Sequence, residues 1–377
     1  MRRFIPLPLA LALACSAAAL PAQSILDFGA RVAPQFVQYK IQSPTNTTVS
    51  EFASPLFVVV PMGSRLTVDV GSAFAWSRVE QTSGGKTTTS TISGPTDTQI
   101  RANYTMGTDF VVLTAGVNLP TGQSTVTADQ VNAASLIGSN FLLFPIPSMG
   151  TGFGATGGVA VAQPLGEWNF GGGMSVRKSN EYSPFTAQGG QALHYQPGDE
   201  YRVRLGLDRG VGTGRLTFGF TYSRFGDDNL SGSIYNTGDR YLGQVTYSNT
   251  IGVGDLAIVG WNLFRNAGTL ADSSKLGTED VGSVTVSYGW RSGSVRLEPM
   301  IEGRTWTQNT QCSATSCSSL PMSGFANVGL RLQFDLLGLG FAPSAGYTIG
   351  RVAAASTAGN TTADLTGYRA VLLVRLK

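Results

Sequence analysis

From Asp97 to Met106 polar and apolar residues alternate: Asp97, Gln99, Arg101, Asn103 and Thr105 share one face, and Thr98, Ile100, Ala102, Tyr104 and Met106 share the other. A period of two specifies a β-strand. The next run follows Gly107-Thr108-Asp109 and sets Val111, Leu113, Ala115, Val117 and Leu119 against Phe110, Val112, Thr114, Gly116 and Asn118. The same pattern returns at Arg215–Ser223, at Ser283–Trp290 and at Gly367–Lys377. These runs are about 9 to 12 residues long, the length with which a tilted strand crosses a bilayer.

The connections alternate between short and long. Short turns are predicted at Pro61–Ser64, Gly107–Asp109, Pro164–Glu167, Gly210–Gly214, Thr250–Gly254, Arg291–Ser294 and Leu336–Leu339. Longer polar stretches, such as Gln81–Pro95, Phe225–Gly238, Asn266–Thr278 and Arg351–Ala363, lie between and around them. Short periplasmic turns alternating with longer extracellular loops characterise outer-membrane barrels. The expectation is an all-β, transmembrane antiparallel outer-membrane β-barrel of about sixteen strands, both ends facing the periplasm. The first two strands fall at Phe28–Ile41 and Phe52–Val60, where Pro34, Pro44 and Pro55 make poor strand interiors. The alternative is fourteen strands with Ser24–Val60 folded into the lumen as a plug.

Composition sharpens this reading. Of 377 residues, 42% are hydrophobic but only 13% are charged, and 48 are Gly. A soluble domain carries about 25% charged residues, so part of this surface does not face water. Beyond the N-terminal leader no stretch of about 18 apolar residues occurs, which argues against a transmembrane helix and leaves the closed barrel as the other way to satisfy the backbone in lipid. A soluble β-sandwich also alternates, but its wet face would show charge where this chain shows Gly, Ser and Thr. Trp76, Trp168, Trp261, Trp290 and Trp306 each lie near a predicted strand boundary, where headgroup-level rings are expected.

At the N-terminus, Arg2 and Arg3 precede the apolar run Phe4–Leu13, and Leu20-Pro21-Ala22 offers a small-residue cleavage site. Residues 1–22 are read as a secretory signal and 23–377 as one barrel domain; a lipoprotein anchored at Cys15 is the lesser reading. Without the leader the chain is nearly neutral, so nucleic acid is a poor partner. Outer-membrane lipid and a small-molecule solute are the expected partners, with a homo-oligomer open. The expected location is the outer membrane of a Gram-negative-type bacterium.

The strand ending Gly116-Val117-Asn118-Leu119-Pro120-Thr121-Gly122, preceded by a polar-faced strand and a short turn, resembles the outer-membrane barrels of meta-pathway phenol degradation, grouped with FadL-like transporters. The match covers Thr96–Ser124. This resemblance implies passage of small hydrophobic or aromatic compounds.

Several features bear on chemistry. Gly152-Phe153-Gly154-Ala155-Thr156-Gly157 matches a dinucleotide fingerprint, but strand-like residues follow it where a helix is required, so glycine packing in a strand is favoured. The chain has one His, His194, placed in a loop. It offers a nominal hydrolase centre, but a solvated loop residue is the preferred reading, and no enzyme activity, cofactor or metal is expected. Cys312 and Cys317 lie close together in a predicted extracellular loop and are read as a disulfide.

Projecting the alternation inward places Arg101, Arg202, Arg204, Arg296, Glu298, Glu302, Arg304, Arg331 and Arg369 along the pore. They either set an ion preference, anionic by the excess of Arg, or brace the wall. The longest connection, Pro120–Gly150, is too apolar for an exposed loop. Leu136, Phe141, Leu143 and Phe144 are candidate contacts for a hydrophobic solute if it enters the mouth; otherwise the segment packs on the rim. The functional expectation is an outer-membrane channel for small, hydrophobic or aromatic solutes. Its competitor is a surface-exposed structural or adhesive barrel with no transport role.

Overall fold

The computed structural model describes residues 29–42, 45–107, 110–186, 192–270, 274–312, 317–356 and 359–376, with side chains at 309–312, 317–318, 354–356 and 359–360 left aside. The expected signal peptide and Cys15 lie outside the described residues.

Sixteen strands form a closed ring. They are β1 (Gly29–Val32 and Gln35–Gln42), β2 (Asn46–Met62), β3 (Leu66–Ser83), β4 (Lys86–Pro95 and Thr98–Met106), β5 (Val111–Leu119), β6 (Gly154–Leu165), β7 (Trp168–Ser179) and β8 (Glu200–Val211). The ring continues through β9 (Gly214–Phe225), β10 (Arg240–Ile251), β11 (Gly254–Arg265), β12 (Glu279–Ser292), β13 (Val295–Cys312), β14 (Ser323–Leu336), β15 (Leu339–Ser356) and β16 (Gly359–Leu376). Each strand runs antiparallel to its neighbours, and β1 closes the ring on β16 with Gln35 opposite Val371 and Arg31 opposite Arg375. Closure removes the exposed sheet edges that lipid would not tolerate.

Where the plug was the alternative, the described residues form strands, Gly29–Val32, Gln35–Gln42 and Asn46–Met62, and residues 24–28 lie outside the described residues. The break in β1 at Ala33-Pro34 lies opposite Ser54-Pro55 of β2, since Val32 pairs with Leu56 and Gln35 with Ala53. Both prolines therefore face one gap in the ladder, where a missing N–H costs least.

Six of the expected short turns lie wholly within the described residues, each with a Gly at positive φ: Gly63, Gly166, Gly212, Gly252, Gly293 and Gly338; Gly107 also has positive φ, and residues 108–109 of the seventh lie outside the described residues. In the tightest form, Leu337-Gly338 joins β14 to β15 with φ of 52° and 76°. This is the twist that two antiparallel strands demand of a two-residue link.

Several expected loops are instead strand. Gln81–Pro95 is a hairpin continuing β3 into β4 through Gly84-Gly85, and the described parts of Arg351–Ala363, residues 351–356 and 359–363, are the projecting ends of the β15–β16 pair. Above the bilayer the outward face no longer needs apolar residues, so alternation fades while pairing continues. The barrel is thus lopsided: β2, β3, β13, β15 and β16 have 17 or 18 residues, whereas β5 to β11 have 9 to 12.

Outward positions such as Leu205, Phe218, Val245, Val286, Leu330 and Tyr347 are 37 to 55% exposed. A ring of uncovered apolar side chains around a closed sheet is the lipid-facing surface of an outer-membrane barrel.

Candidate functional site

The 34 residues between β5 and β6 turn into the barrel. One segment is tied to strands along one arc of the ring: Asn140 Nδ2 donates to Glu279 Oε2 of β12 at 2.9 Å, and Arg304 Nη1 of β13 donates to the Phe141 carbonyl at 2.7 Å. Tyr39 Oη of β1 donates to the Leu142 carbonyl at 3.3 Å, Arg369 Nη2 of β16 to the Leu143 carbonyl at 3.2 Å, and Ile146 N to Glu51 Oε1 of β2 at 2.8 Å. A segment that touches β1, β2, β12, β13 and β16 on one face can only lie inside the ring.

Apolar packing supplies the larger force. Phe141, 1% exposed, stacks on Trp306 at 5.5 Å and tilts against Phe325 at 5.2 Å. Phe144 meets Tyr39 edge-on at 5.5 Å. The short helix α1 (Val131–Ile137) sets Ala133 and Ile137 into the cluster formed with Val49, Ala75, Val79 and Ile92 of the tall wall. The lumen-facing side of that wall is apolar because this loop, not water, covers it.

The loop's two ends are clasped by Asp97. Its Oδ2 accepts from Asn118 Nδ2 at 2.8 Å and Thr151 N at 2.6 Å, and its Oδ1 accepts from Gly122 N at 3.1 Å. Gly122 sits so close to Thr96-Asp97 and the Met149 carbonyl that a Cβ would lie 2.1 Å from that oxygen. The Leu119-Pro120-Thr121-Gly122 sequence therefore forms the foot of the loop, and its glycine is required for close approach.

These positions correct the reading of the loop. Phe141 and Phe144 do not face solute; their rings are used up in anchoring. Leu136 is partly buried against the same cluster, and Leu143, at φ 47° and 37% exposed, is the member of the four turned toward open space. The loop is not a rim extension, because inward side chains of β2, β12, β13 and β16 hold its backbone and Asn140 inside the ring. Trp306 and Trp261 likewise point inward. Trp306 packs on Phe141 and donates Nε1 to Glu279 at 3.0 Å, and Trp261 lies under the Arg304 guanidinium at 5.5 Å. A strand-end tryptophan meets the headgroups only when its parity is outward.

The register puts all nine charged residues expected along the pore on the inner face, in three groups. Glu302, Arg304 and Arg369 serve the loop. Arg304, with its side chain 5% exposed, lies between Trp261 and Phe325 and pairs with Glu302, so it is an anchor rather than open pore lining. Arg296, Glu298 and Arg331 form a network with Asp255, with Arg296 to Asp255 at 2.7 Å and Arg331 to Glu298 at 3.4 Å. Arg101, Arg202 and Arg204 line a cavity of about 500 Å³ against the short wall.

That cavity runs along the inner faces of β3 to β8 and is floored by Gly71, Gly116, Gly158 and Gly173. Its wall also includes Asp69, Arg177 and Glu200, which sequence reasoning passed over. Arg177 could have been found, since it shares parity with Ser175 and Gly173 on an alternating strand. Glu51 also carried a signal, as a lone carboxylate within an apolar strand.

Over the mouth, Tyr195–Gln196, Asp228–Leu230 and Ser233–Tyr235 form a three-stranded sheet in which Tyr195 packs on Tyr182 and Tyr235. Burial pushes the Tyr182 phenol up to about 12 and raises the Asp228 carboxyl above the ordinary aspartate range, against the opposing Gly198 N–H bond. His194 stands at this rim, exposed, with Nδ1 2.9 Å from Glu181 Oε1. Gly154–Leu165 is strand β6, so the glycine run before Gly157 packs in a sheet. Cys312 lies directly opposite Cys317 in backbone register; their side chains are outside the described residues. No helix among the described residues is long and apolar enough to cross a membrane, and no cluster of metal ligands occurs among them.

No protein-family model and no curated protein matches the chain. Among solved structures it is similar to outer-membrane expressed OmpT of Vibrio cholerae, with TM-score 0.43 and 10% identity over 94% of this chain and 99% of that one. It is also similar to the outer membrane protein opdK from Pseudomonas aeruginosa, with TM-score 0.43 and 8% identity over 93% and 99%. A third is the COG4313 outer membrane channel from Pseudomonas putida F1, with TM-score 0.37 and 12% identity over 96% and 98%. At these values the likeness carries no argument about what this chain does.

Proposed function

We propose that this protein is a diffusion channel of the bacterial outer membrane whose internal loop sets the size limit. The observation that carries this reading is the loop itself, anchored across the lumen against the tall wall while a polar cavity of about 500 Å³ stays beside the short wall. A loop that only capped the barrel would not need anchors on β1, β2, β12, β13 and β16. A structural or adhesive barrel would have no use for a polar gap beside a buried loop.

The test is single-channel recording and liposome swelling with the purified, heat-modifiable protein. Discrete conductance steps, with swelling rates falling as sugar size rises, are expected; a silent bilayer and unswollen liposomes would favour the non-transporting barrel.

A second reading concerns hydrophobic or aromatic solutes. It is favoured by an apolar cavity of about 380 Å³ near the mouth, lined by Ile92, Val131, Ile137, Met149, Tyr182 and Phe185. Such a hollow admits a single aromatic ring by its size and lining. If deleting 136–144 leaves uptake of apolar solutes unchanged in a barrel that still assembles, the loop has no part in receiving them.

A further inference from the structure

We propose that the outer face of β8 to β11 carries, at its extracellular end, a binding site for a phosphorylated glycolipid of the outer leaflet. Such a site lies outside the channel reading and does not depend on it. Its basis is a hollow of about 860 Å³ on the lipid side of the barrel, bounded by Tyr201, Tyr222, Arg224, Asp227, Asn236 and Asp239.

Parity fixes the side. Tyr201 and Val203 are exposed on the same outward face as Leu205, and register sets Arg224 opposite Tyr201 and Tyr222 opposite Val203. Tyr222 meets Tyr241 at 5.1 Å, and Tyr241 meets Phe264 at 6.2 Å, so one row of rings crosses β9, β10 and β11. An outward row of rings near the strand ends marks the level of the headgroups. Arg224 stands two residues beyond Tyr222, about 7 Å further along the strand. A cation on the lipid face is costly at the bilayer midplane but tolerated at the interface, where it attracts anionic lipid.

Side chains hold the rim of the hollow in shape. Asn236 Nδ2 donates to the Phe225 carbonyl at 3.1 Å and to Asp227 Oδ1 at 3.1 Å, and Asn236 Oδ1 accepts from Gly238 N at 2.8 Å. Asn266 N donates to the Asp239 carbonyl at 2.9 Å, and Tyr222 Oη donates to Asp239 Oδ2 at 2.7 Å.

The lining separates a glycolipid from simpler ligands. A lone phosphate would meet Arg224 but also two carboxylates. A phosphorylated sugar gives its phosphate to the Arg224 guanidinium, whose fork matches two phosphate oxygens. Its hydroxyls donate to Asp227 and Asp239, because a carboxylate offers about four lone-pair positions and the bonds above leave room for them. The acyl chains continue down the outward face past Tyr201 and Val203. A hollow of this volume is in the range that encloses a ligand of drug size, more than one phosphate fills.

The experiment titrates the purified wild-type barrel in detergent with lipopolysaccharide of short sugar chain, intact or dephosphorylated, and reads binding by native mass spectrometry. Phosphatidylethanolamine and inorganic phosphate are the competitors. The expected result is one intact glycolipid per barrel, binding about tenfold weaker or more after dephosphorylation, and no displacement by either competitor at equal concentration. Arg224→Gln should lose about tenfold with the intact lipid and should bind both forms alike. Arg224→Lys should recover part of the loss, since lysine still meets phosphate as a point charge. Arg209→Gln is the control: Arg209 lies at the other end of β8, over Trp168 at 5.6 Å, and the variant should bind as wild type does. Equal wild-type binding of intact and dephosphorylated lipid overturns the proposal, as does displacement by phosphatidylethanolamine or by phosphate alone. A folded Arg224→Gln barrel that binds intact lipid as tightly as wild type overturns it too. Heat-modifiable migration checks that each variant is folded, and the wild-type comparison decides without any variant. Conductance plays no part in the readout, so failure here leaves the channel reading standing.

Discussion

Removing the Phe141 ring should free the internal loop without unmaking the barrel. Phe141 is 1% exposed and lies between Trp306 and Phe325, with its carbonyl held by Arg304. Truncating a buried phenylalanine to alanine costs about 3 to 5 kcal/mol, and the two aromatic pairs make up about 1 to 3 of this. The loss falls on loop docking, because the sheet ladders make no use of this side chain. About 4 kcal/mol shifts the ratio of docked to undocked loop by roughly a thousandfold. Phe141→Ala should therefore assemble with normal heat-modifiable migration, conduct more and flicker more, and admit larger sugars in liposome swelling. Its loop should also become sensitive to chymotrypsin. Phe144→Ala, which removes the edge-on contact with Tyr39, should add to the effect. If conductance, size limit and protease resistance all stay at wild-type values in a folded Phe141→Ala barrel, the account of the loop as an apolar-anchored constriction is refuted.

Other consequences are open to direct measurement. Leu337 holds φ 52° at 91% exposure; Leu337→Asn should raise barrel stability by about 1 kcal/mol, read as a higher midpoint of heat modification. The three-stranded sheet at the mouth should weaken as pH rises. The folded Asp228 carboxyl sits above its unfolded value through burial, so the stability it contributes is present at acid pH and is lost as pH climbs through the folded value. Amide exchange at Tyr195, Gln196 and 228–235 should report this, and Asp228→Asn should flatten the dependence; protection that increases with pH would contradict it. Cys312 and Cys317, opposite each other in register, should resist alkylation until reduced, and reduction should cost the local hairpin about 2 kcal/mol.

Parity and punctuation explain how much could be read in advance. The runs at Asp97–Met106 and Val111–Leu119 kept strict alternation because lipid lies on one side and a polar lumen on the other. The short turns showed because a tight antiparallel link calls for a residue that tolerates positive φ, as at Gly338. What failed to show depends on where a surface is covered. Gln81–Pro95 looks like a loop because polar residues suit both faces of a hairpin standing in water. The apolar run Leu136–Phe144 announced burial but not its location, since the rim and the inner wall are equally dry from the loop's side. Trp261 and Trp306 could not be assigned to headgroup or lumen until register fixed their parity. Arg304 and Arg204 look alike along the chain; only the partners opposite them separate an anchor from a lining residue.

The carbonyls of Leu142 and Leu143 grip different strands: Tyr39 of β1 holds one and Arg369 of β16 holds the other. These strands meet at the seam where the two ends of the sequence close the ring, with Gln35 opposite Val371. The loop is thus a clasp laid across the last joint of the cylinder from within. Because both sides of the joint are tied to the same short segment, zipping the seam and seating the segment form one cooperative unit. A chain whose loop stays outside would lose the stitch between its most distant strands, so seating this segment doubles as a check on correct closure.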